Sequence, residues 1–592
     1  KTGPAAVSWG QVSFLQTRQQ ISGESTFQLQ ASRNGMLTVQ AKFEPGRQLT
    51  LEIYDSQMRL RGTQAGNQGN LRVDTQARQG ETFFVKARGA GGEVDFRIGN
   101  QVAWGNGLLV VHGSQQNDLI SIDARQSLNV SVNGIDYLLN KAEIKNVRLW
   151  GNGGIDRLNL RLGAENDNVA SSPDRLFVHN SQFRLSAVNF SHFNLHAGGG
   201  QNTIRMEGSG SGNQFTANSQ WATLQGSGFS ARAAGFQILH AVSTGNGSRA
   251  ELIGTEGDDV VRSRMGRTSL FTANGVVIAD QFSATRIDAR GGNDRAIFFE
   301  SRGDREIELQ GNYIAVRNEN YVTWGSGFSN IHVVANRGET PIIFRDTTSR
   351  DIFRVDGNVA SMVSQWYGNF AYGFKNIQAH SIRGGNDLAH IIDTLGNDRF
   401  TSNGDQAVME SADRRVMTRG FAQVNAVSQN GGFNVATLSG TQGSDRFHSD
   451  LHSSTLQNAG NQVRRVIGFQ RTDVNLRDGI NQVDLRGAAT GHNHLSINQQ
   501  QVTLQSGGTQ VRISGASETN YRGSGGINQV VMQNLDLLEG LGNRAIAFLE
   551  NHRVTAIDFH SLEASSVDQA IAEYDLDIVD FQYLLRGGWR AR

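Results

Sequence analysis

The stretch GTQGSDRF at residues 440–447 returns in altered form along most of the chain, and its spacing is the strongest constraint on the fold. Aligning its acidic position gives Asp167, Asn213, Asp259, Arg305, Asp351, Asp398, Asp445 and Asn493, in steps of 46 to 48 residues. A second marker, GGND and its variants, ends at Asp156, Asn202, Arg249, Asp294, Thr340, Asp387, Asn434, Asn481 and Asn528, with steps of 45 to 47. A third marker is aromatic, usually written GF: Phe190, Phe236, Phe282, Phe328, Phe374, Phe421 and Phe469. Three markers with one period exclude a single globular core and require a repeat architecture, here of about nine 46-residue units between residues 101 and 545.

Within a unit the pattern is strand-like. Val435–Thr437, Val463–Val466 and Val474–Leu476 alternate apolar and polar residues between turns, and no helical period appears. Glycine is abundant (70) while proline is scarce (4), which suits tight turns joining ladders that need every backbone N–H. A propeller closes at about four to eight blades, so more units than that favour an open stack. The expectation is a right-handed parallel β-solenoid in which each unit forms two coils of about 23 residues.

The acidic marker admits three chemistries. Calcium needs six or more oxygen ligands, supplied in tandem nonapeptide repeats by carboxylates from successive turns. Asp258, Asp259 and Asp445 are the calcium candidates, but no second half-motif follows nine residues later, and Asn213 and Arg305 occupy the same ladder. A catalytic carboxylate needs a partner at one place, not a recurrence at every unit. An Asx residue at a tight corner bonds the backbone nearby and tolerates left-handed geometry. The corner reading accommodates the substitutions best, so Asp167, Asn213, Asp259, Asp351, Asp398, Asp445 and Asn493 are expected as a structural ladder. The seven phenylalanines are expected as stacked core.

Other constellations are sparse. His492 and His494 share one face of a strand, and His448 and His452 lie four apart without a third ligand nearby. No nucleophile elbow, HExxH or phosphate loop occurs. Cationic and acidic residues balance at 55 each, which gives no basic footprint for nucleic acid. Cysteine is absent, which removes thiolate chemistry and disulfides together. No apolar run of about 18 residues is present, so no membrane-spanning helix is expected. The start at Lys1 reads as a processed N-terminus or as an arbitrary boundary.

The ends differ from the repeats. Residues 25–100 alternate cleanly at Leu37, Val39, Ala41, Leu49, Leu51 and Ile53 and are expected to form an antiparallel β-sandwich of about eight strands. The order LTVQAKF, LTLEIYDSQMRL, GETFFVKARG, VDFRI resembles the bacterial pre-peptidase C-terminal-type β-sandwich, an accessory domain of secreted proteins. The 46-residue units, with GTEGDD and GSGF, resemble degenerate calcium-repeat-like arrays of large bacterial surface proteins. These resemblances imply secretion, or display on a bacterial cell surface, and a scaffold or adhesion role. Residues 1–24, with Val7, Trp9, Val12 and Phe14, read as the sandwich's first strand or as a strand donated to a neighbour. At the other end, residues 546–592 are expected to carry a short α-helical cap: Ser566 is a candidate N-cap, Val567, Ala570, Ile571 and Tyr574 follow at helical spacing, and Ile578, Phe581, Leu584 and Leu585 follow in a second turn ended by Gly587.

The sequence therefore leads to an all-β chain, sandwich then solenoid, without a cofactor unless calcium binds. The expected function is a non-catalytic secreted structural protein, a subunit of an extracellular filament, sheath or surface layer that self-associates head to tail. An adhesin or carbohydrate-binding protein is the first alternative, with Trp221, Trp324 and Trp366 as a candidate aromatic row. A polysaccharide-degrading β-helix enzyme is the second.

Overall fold

The computed structural model describes residues 6–535, 537–541, 544–549, 552–565 and 569–572. The chain divides into two compact units, residues 1–262 with 266–292, and residues 263–265 with 293–592. Both are built from strands. A single 3-10 turn, Lys141–Glu143, is the sole helical element among the described residues.

The first unit opens with seven strands: β1 (Val7–Val12), β2 (Phe14–Ala31), β3 (Gly35–Phe43), β4 (Leu49–Asp55), β5 (Leu60–Gly66), β6 (Asn70–Ala77) and β7 (Thr82–Gly105). The long strand β2 pairs antiparallel with residues Thr82–Gly99 of β7, with a register shift between Ile21 and Gly23. Opposite that bulge, Gly91 and Gly92 have positive φ, and both strands bend there. The first half of β7 then pairs with β4, and its second half with β3. Two strands thus serve two layers, and the inward residues Phe27, Leu37, Val39, Leu51, Ile53, Phe83, Val85, Phe96 and Ile98 close on one core. The sandwich has seven strands rather than eight and includes residues assigned to the leading segment. β1 pairs parallel with Phe27–Ala31 of its own chain, and Trp9 stacks on Phe27 at 4.2 Å. Val7–Val12 is therefore a native strand of the sandwich.

An Asn106-Gly107 turn, with both residues at positive φ, folds β7 onto Leu108–His112 and starts the solenoid. From here the chain alternates between two sheets. In one, Leu108–His112, Asn146–Trp150 and Arg184–Val188 stack in parallel. The antiparallel Arg175–His179 follows, then Asn168–Ser172, and parallel stacking resumes through Thr203–Glu207, Ile238–Val242 and Gly275–Asp280. The facing sheet repeats the scheme, with Leu128–Val132 and Trp221–Gly226 as its reversed strands. The second unit is built alike. Its reversed strands include Tyr313–Asn318, Val359–Val363, Gln406–Glu410, Ser453–Gln457, Val502–Ser506 and Arg544–Leu549.

Each strand has about five residues and buries two, as Leu158 and Leu160 in Arg157–Arg161. Fully burying one such side chain contributes about 1.5–3 kcal/mol. The sequence period and the structural period differ. Each 46-residue unit holds one three-strand antiparallel meander and two single strands, and successive meanders fall on opposite sheets. Parallel partners are offset by less: Thr203 pairs with Ile238, an offset of 35, and Asn146 with Arg184, an offset of 38. The repeats accordingly make about 12 turns, against the nine units of two 23-residue coils each that the sequence spacing leads one to expect.

No helical cap is seen among the described residues. Gln569–Ala572, which holds Ala570 and Ile571, is a strand paired parallel with Leu537–Leu541. Ser566, Val567, Tyr574, Ile578, Phe581, Leu584, Leu585 and Gly587 lie outside the described residues.

Candidate functional site

The residues singled out by the repeat converge on the corners where the chain passes from one sheet to the other. At the GTQGSD corner, Asp445 is fully buried. Its Oδ2 accepts the Thr441 N–H at 2.7 Å, and its Oδ1 accepts the Thr441 hydroxyl at 2.9 Å and the Ala459 N–H at 3.0 Å. Thr441 Oγ1 in turn accepts the Gly443 N–H. Gly440 packs so closely that a Cβ there would meet Asp445 Oδ2 at 2.2 Å, which explains the glycine. The same Thr–Asp clasp recurs at Asp259 with Thr255, Asp351 with Thr347, and Asp398 with Thr394. At Asp118 a serine, Ser114, replaces the threonine.

The acidic marker, the GGND marker and the residue that follows the aromatic position are three consecutive rungs of one ladder. The Asp445 N–H donates to Asn481 Oδ1 at 2.9 Å, and the Asn481 N–H donates to Ser517 Oγ at 3.2 Å. Asp398, Asn434 and Gln470 form the same series at 2.6 and 2.7 Å. Asp167, Asn202 and Gln237 repeat it at 2.9 and 2.6 Å. Each rung is 35 or 36 residues beyond the last, so markers from different sequence units meet in space. Asp351 donates to Asp387 Oδ1 in the same way, and Asn493 Nδ2 reaches Asn528 Oδ1. Asn213 instead bonds Ser243 Oγ through its Nδ2.

Two markers shift by one residue. At the Arg305 position the ladder carboxylate belongs to Asp304, which accepts from Ser301 N and Asn318 Nδ2. A register irregularity between Asp304 and Glu306 accounts for the offset. At the Arg249 position the buried polar residue is Ser248, which donates to Gly245 O.

The phenylalanine set is buried throughout, at 1–4% exposure. Its members do not stack on one another. Each precedes a strand of alternate sheets, so a 46-residue step crosses the coil. Phe282, Phe421 and Phe469 instead pack on Phe215, Phe353 and Phe400, with centroids 5.9, 6.1 and 6.4 Å apart.

A fourth periodic position escaped the sequence reading. Glu300, Asp346 and Asp393 are spaced by 46 and 47 residues and are buried. Glu300 accepts the N–H groups of Asn336, Arg337 and Gly338 at 2.7, 2.8 and 2.7 Å, and of Thr340 at 3.0 Å. Such a nest of backbone donors favours an anion. Burial alone would push Glu300 up, but the Gly338, Thr340 and Arg337 bonds outweigh it and bring its pKa down to about 2. Asp156 shows the opposite balance. Burial dominates, only Oδ1 accepts a hydrogen bond, from the Asp118 N–H, and its pKa is pushed up to about 6. Spacing would have revealed Glu300, Asp346 and Asp393; glycine at the matching Gly254 and Gly440 hid them.

Asp258 is exposed, whereas Asp259 and Asp445 are buried in their clasps. No cluster of three or more potential metal-ligating His, Asp or Glu residues occurs among the described residues. His448, His452, His492 and His494 are exposed, and His492 and His494 do share one strand face. Trp366 is 75% exposed on a turn, while Trp324 lies on the strand Val322–Ser326 of the facing sheet, so these two do not form one row. Trp221 is half-buried in the first unit's Trp221–Gly226. Ring pairs appear elsewhere on outer faces: His112 stacks on Trp150 at 4.8 Å, and His332 lies against Phe370 at 5.1 Å and Tyr372 at 6.0 Å. No helix among the described residues is long and apolar enough to cross a membrane.

No known protein family and no curated protein matches the chain. The two resemblances drawn from sequence motifs are thus carried by fold class alone.

Proposed function

We propose that this chain is a non-catalytic structural protein, secreted by a bacterium and assembled with copies of itself head to tail into an extracellular filament, sheath or surface layer. The observation that supports this reading is the corner ladder. The periodic polar residues Asp167, Asp351, Asp398 and Asp445 spend their hydrogen bonds inside the corners rather than converging in a cleft. A scaffold needs that use of polar residues; a hydrolase needs a paired carboxylate facing substrate. Strand Val7–Val12, bonded on one side among the described residues, offers an edge for a further strand.

Negative-stain electron microscopy of the purified protein, with and without a calcium chelator, tests the reading. Regular polymers support it, and their persistence in chelator fits corners held by Thr–Asp clasps alone. A monodisperse monomer at high concentration in sedimentation, across salt and calcium, overturns it.

A second reading, a surface adhesin that binds carbohydrate, is favoured by the half-exposed ring pairs on the outer faces, His112 with Trp150 and His332 with Phe370.

A further inference from the structure

The first coils of the solenoid, in the first unit, gather cations on one outer face. Strands Leu108–His112, Asn146–Trp150, Arg184–Val188, Arg175–His179 and Asn168–Ser172 lie side by side in one sheet. They read LLVVH, NVRLW, RLSAV, RLFVH and NVASS, with three arginines and no aspartate or glutamate. Register fixes where the side chains stand. Arg184 lies between Asn146 and His179, and Ser186 lies between Arg148 and Phe177. Buried residues alternate with these, so all six leave the same outward face. Together they line a depression of about 350 Å3. Ser186 is half-buried at its floor, and Phe177 is 52% exposed on its wall. Lys145 stands exposed at the corner before Asn146, and its carbonyl accepts the Arg184 N–H at 3.0 Å.

The acids on or beside these strands are already engaged. Glu165 pairs with Lys141 at 3.1 Å, Asp174 with Arg175 at 3.5 Å and Glu207 with Arg205 at 2.8 Å. Glu143 accepts the Asn140 amide at 2.8 Å, and Asp167 is buried at its corner. Lys145, Arg148 and Arg184 are left with no ion pair and no side-chain hydrogen bond among the described residues. Farther along the same sheet the pattern is different, since Arg267 pairs with Asp280 at 3.4 Å.

The geometry points to a binding site for a tetrahedral oxyanion, a sulfate or phosphate ester on a larger ligand, held by Lys145, Arg148 and Arg184 above Ser186. The group that carries the ester rests against Phe177. Three cations from two strands and a corner can meet three oxygens of such an ester, whereas one arginine fork already satisfies a planar carboxylate. The depression leaves room for the carrier, and Asn146, Ser186 and His179 add hydrogen-bonding groups around it. A nucleic acid needs cations that track a backbone over many phosphates. Here the cluster stops within three strands: Arg148 is followed by Val110 on one side, and Phe177 by Ala170 on the other. The site goes beyond the structural reading and does not depend on polymer formation.

Isothermal titration calorimetry of the full chain tests it, with one glucan oligosaccharide in sulfated, phosphorylated and carboxymethylated forms of equal charge. The sulfated or the phosphorylated form should bind, and the carboxymethylated form should bind at least about tenfold more weakly. Binding of only one ester form supports the site and names its source. Arg148→Gln and Arg184→Gln should each raise Kd about tenfold. Arg148→Lys keeps the charge without the fork, so its Kd should fall between those of the wild type and Arg148→Gln. Arg232→Gln removes an exposed arginine from the facing sheet of the same unit and should leave Kd unchanged. Equal weakening by Arg232→Gln would mean diffuse attraction and overturn the site. Equal or tighter binding of the carboxymethylated form, or no binding of either ester, would also overturn it.

Discussion

The sandwich and the coils behind it solve the same packing problem in opposite ways. In the sandwich, Phe27, Phe83 and Phe96 close on a single interior drawn from six of the seven strands, and its buried polar residues are few. In the coils each strand buries about two apolar side chains, and a buried polar ladder runs along the corners. A one-residue slip in a strand would put its apolar residues outside. The sandwich prevents that with a shared core, so any slip breaks many contacts together. A coil touches only its neighbours, so register has to be set locally. The Thr–Asp clasp and the Asx rung above it do so, because buried N–H groups left without an acceptor cost about 1–3 kcal/mol each.

The largest effect expected is in the sandwich. Phe96→Ala should lower the stability of that region by about 3–5 kcal/mol. Hydrogen exchange should show faster exchange across β2, β3 and β7, with protection around Asp445 unchanged. Loss of protection in both places would mean that the two regions unfold as one. Next comes the ladder. Asp445→Ala strands the Thr441 and Ala459 N–H groups and should cost about 3 kcal/mol. Asp445→Asn keeps an acceptor and should cost about 1 kcal/mol. The loss should be confined to exchange near Thr441 and Asn481; a cost spread over every coil would deny local register control.

Two carboxylates should move stability with pH in opposite directions. Glu300 has a pKa depressed to about 2, so its contribution is present above its unfolded value, near 4.5, and is lost as pH falls toward 2. Asp156 has a pKa raised to about 6, so its contribution is complete below about 4 and is lost as pH rises through 6. Urea midpoints from pH 2 to 8 should therefore lose part of their acid limb in Glu300→Gln and gain stability above pH 6 in Asp156→Asn. Equal pH profiles for wild type and both variants would refute the nest and the burial arguments together. The smallest effect is expected at Arg464. It is 2% exposed, its pKa is lowered to about 10 by burial, and it donates to Phe421 O and Gly404 O. Its desolvation offsets those bonds, so Arg464→Met should shift stability by no more than about 1 kcal/mol. A loss of several kcal/mol would show the coils to be as intolerant of core substitution as the sandwich.

Much of this was legible in the residues. Alternation gave the strands, and the 46-residue markers located the corners and the buried phenylalanines. Their meaning was less accessible, because periodicity along a chain does not say which copies touch. Asp445 meets Asn481, 36 residues on, and not Asn493, its counterpart in the next unit. Only the meander, which folds part of each unit back, separates the two periods. Arg305 was aligned in place of Asp304 because a bulge moves the acid by one residue, which strict spacing cannot register. Ala570 and Ile571 suggested a helix from three- and four-residue spacing, yet Gln569–Ala572 pairs with Leu537–Leu541, and pairing outweighs local pattern in so short a segment. The stacked pair of His332 and Phe370 left no sequence signal of its own, since register alone brings the two residues together.

The alternation of meanders between sheets has a consequence of parity. Within each unit, advancing by one 46-residue segment exchanges the two faces, and advancing by two restores them. A tandem duplication of one segment would leave every corner bonded and yet carry all residues downstream to the opposite side. A duplication of two would lengthen the stack and keep each surface facing as before. Growth of such a chain by even steps preserves whatever its faces recognise, and growth by odd steps turns them over.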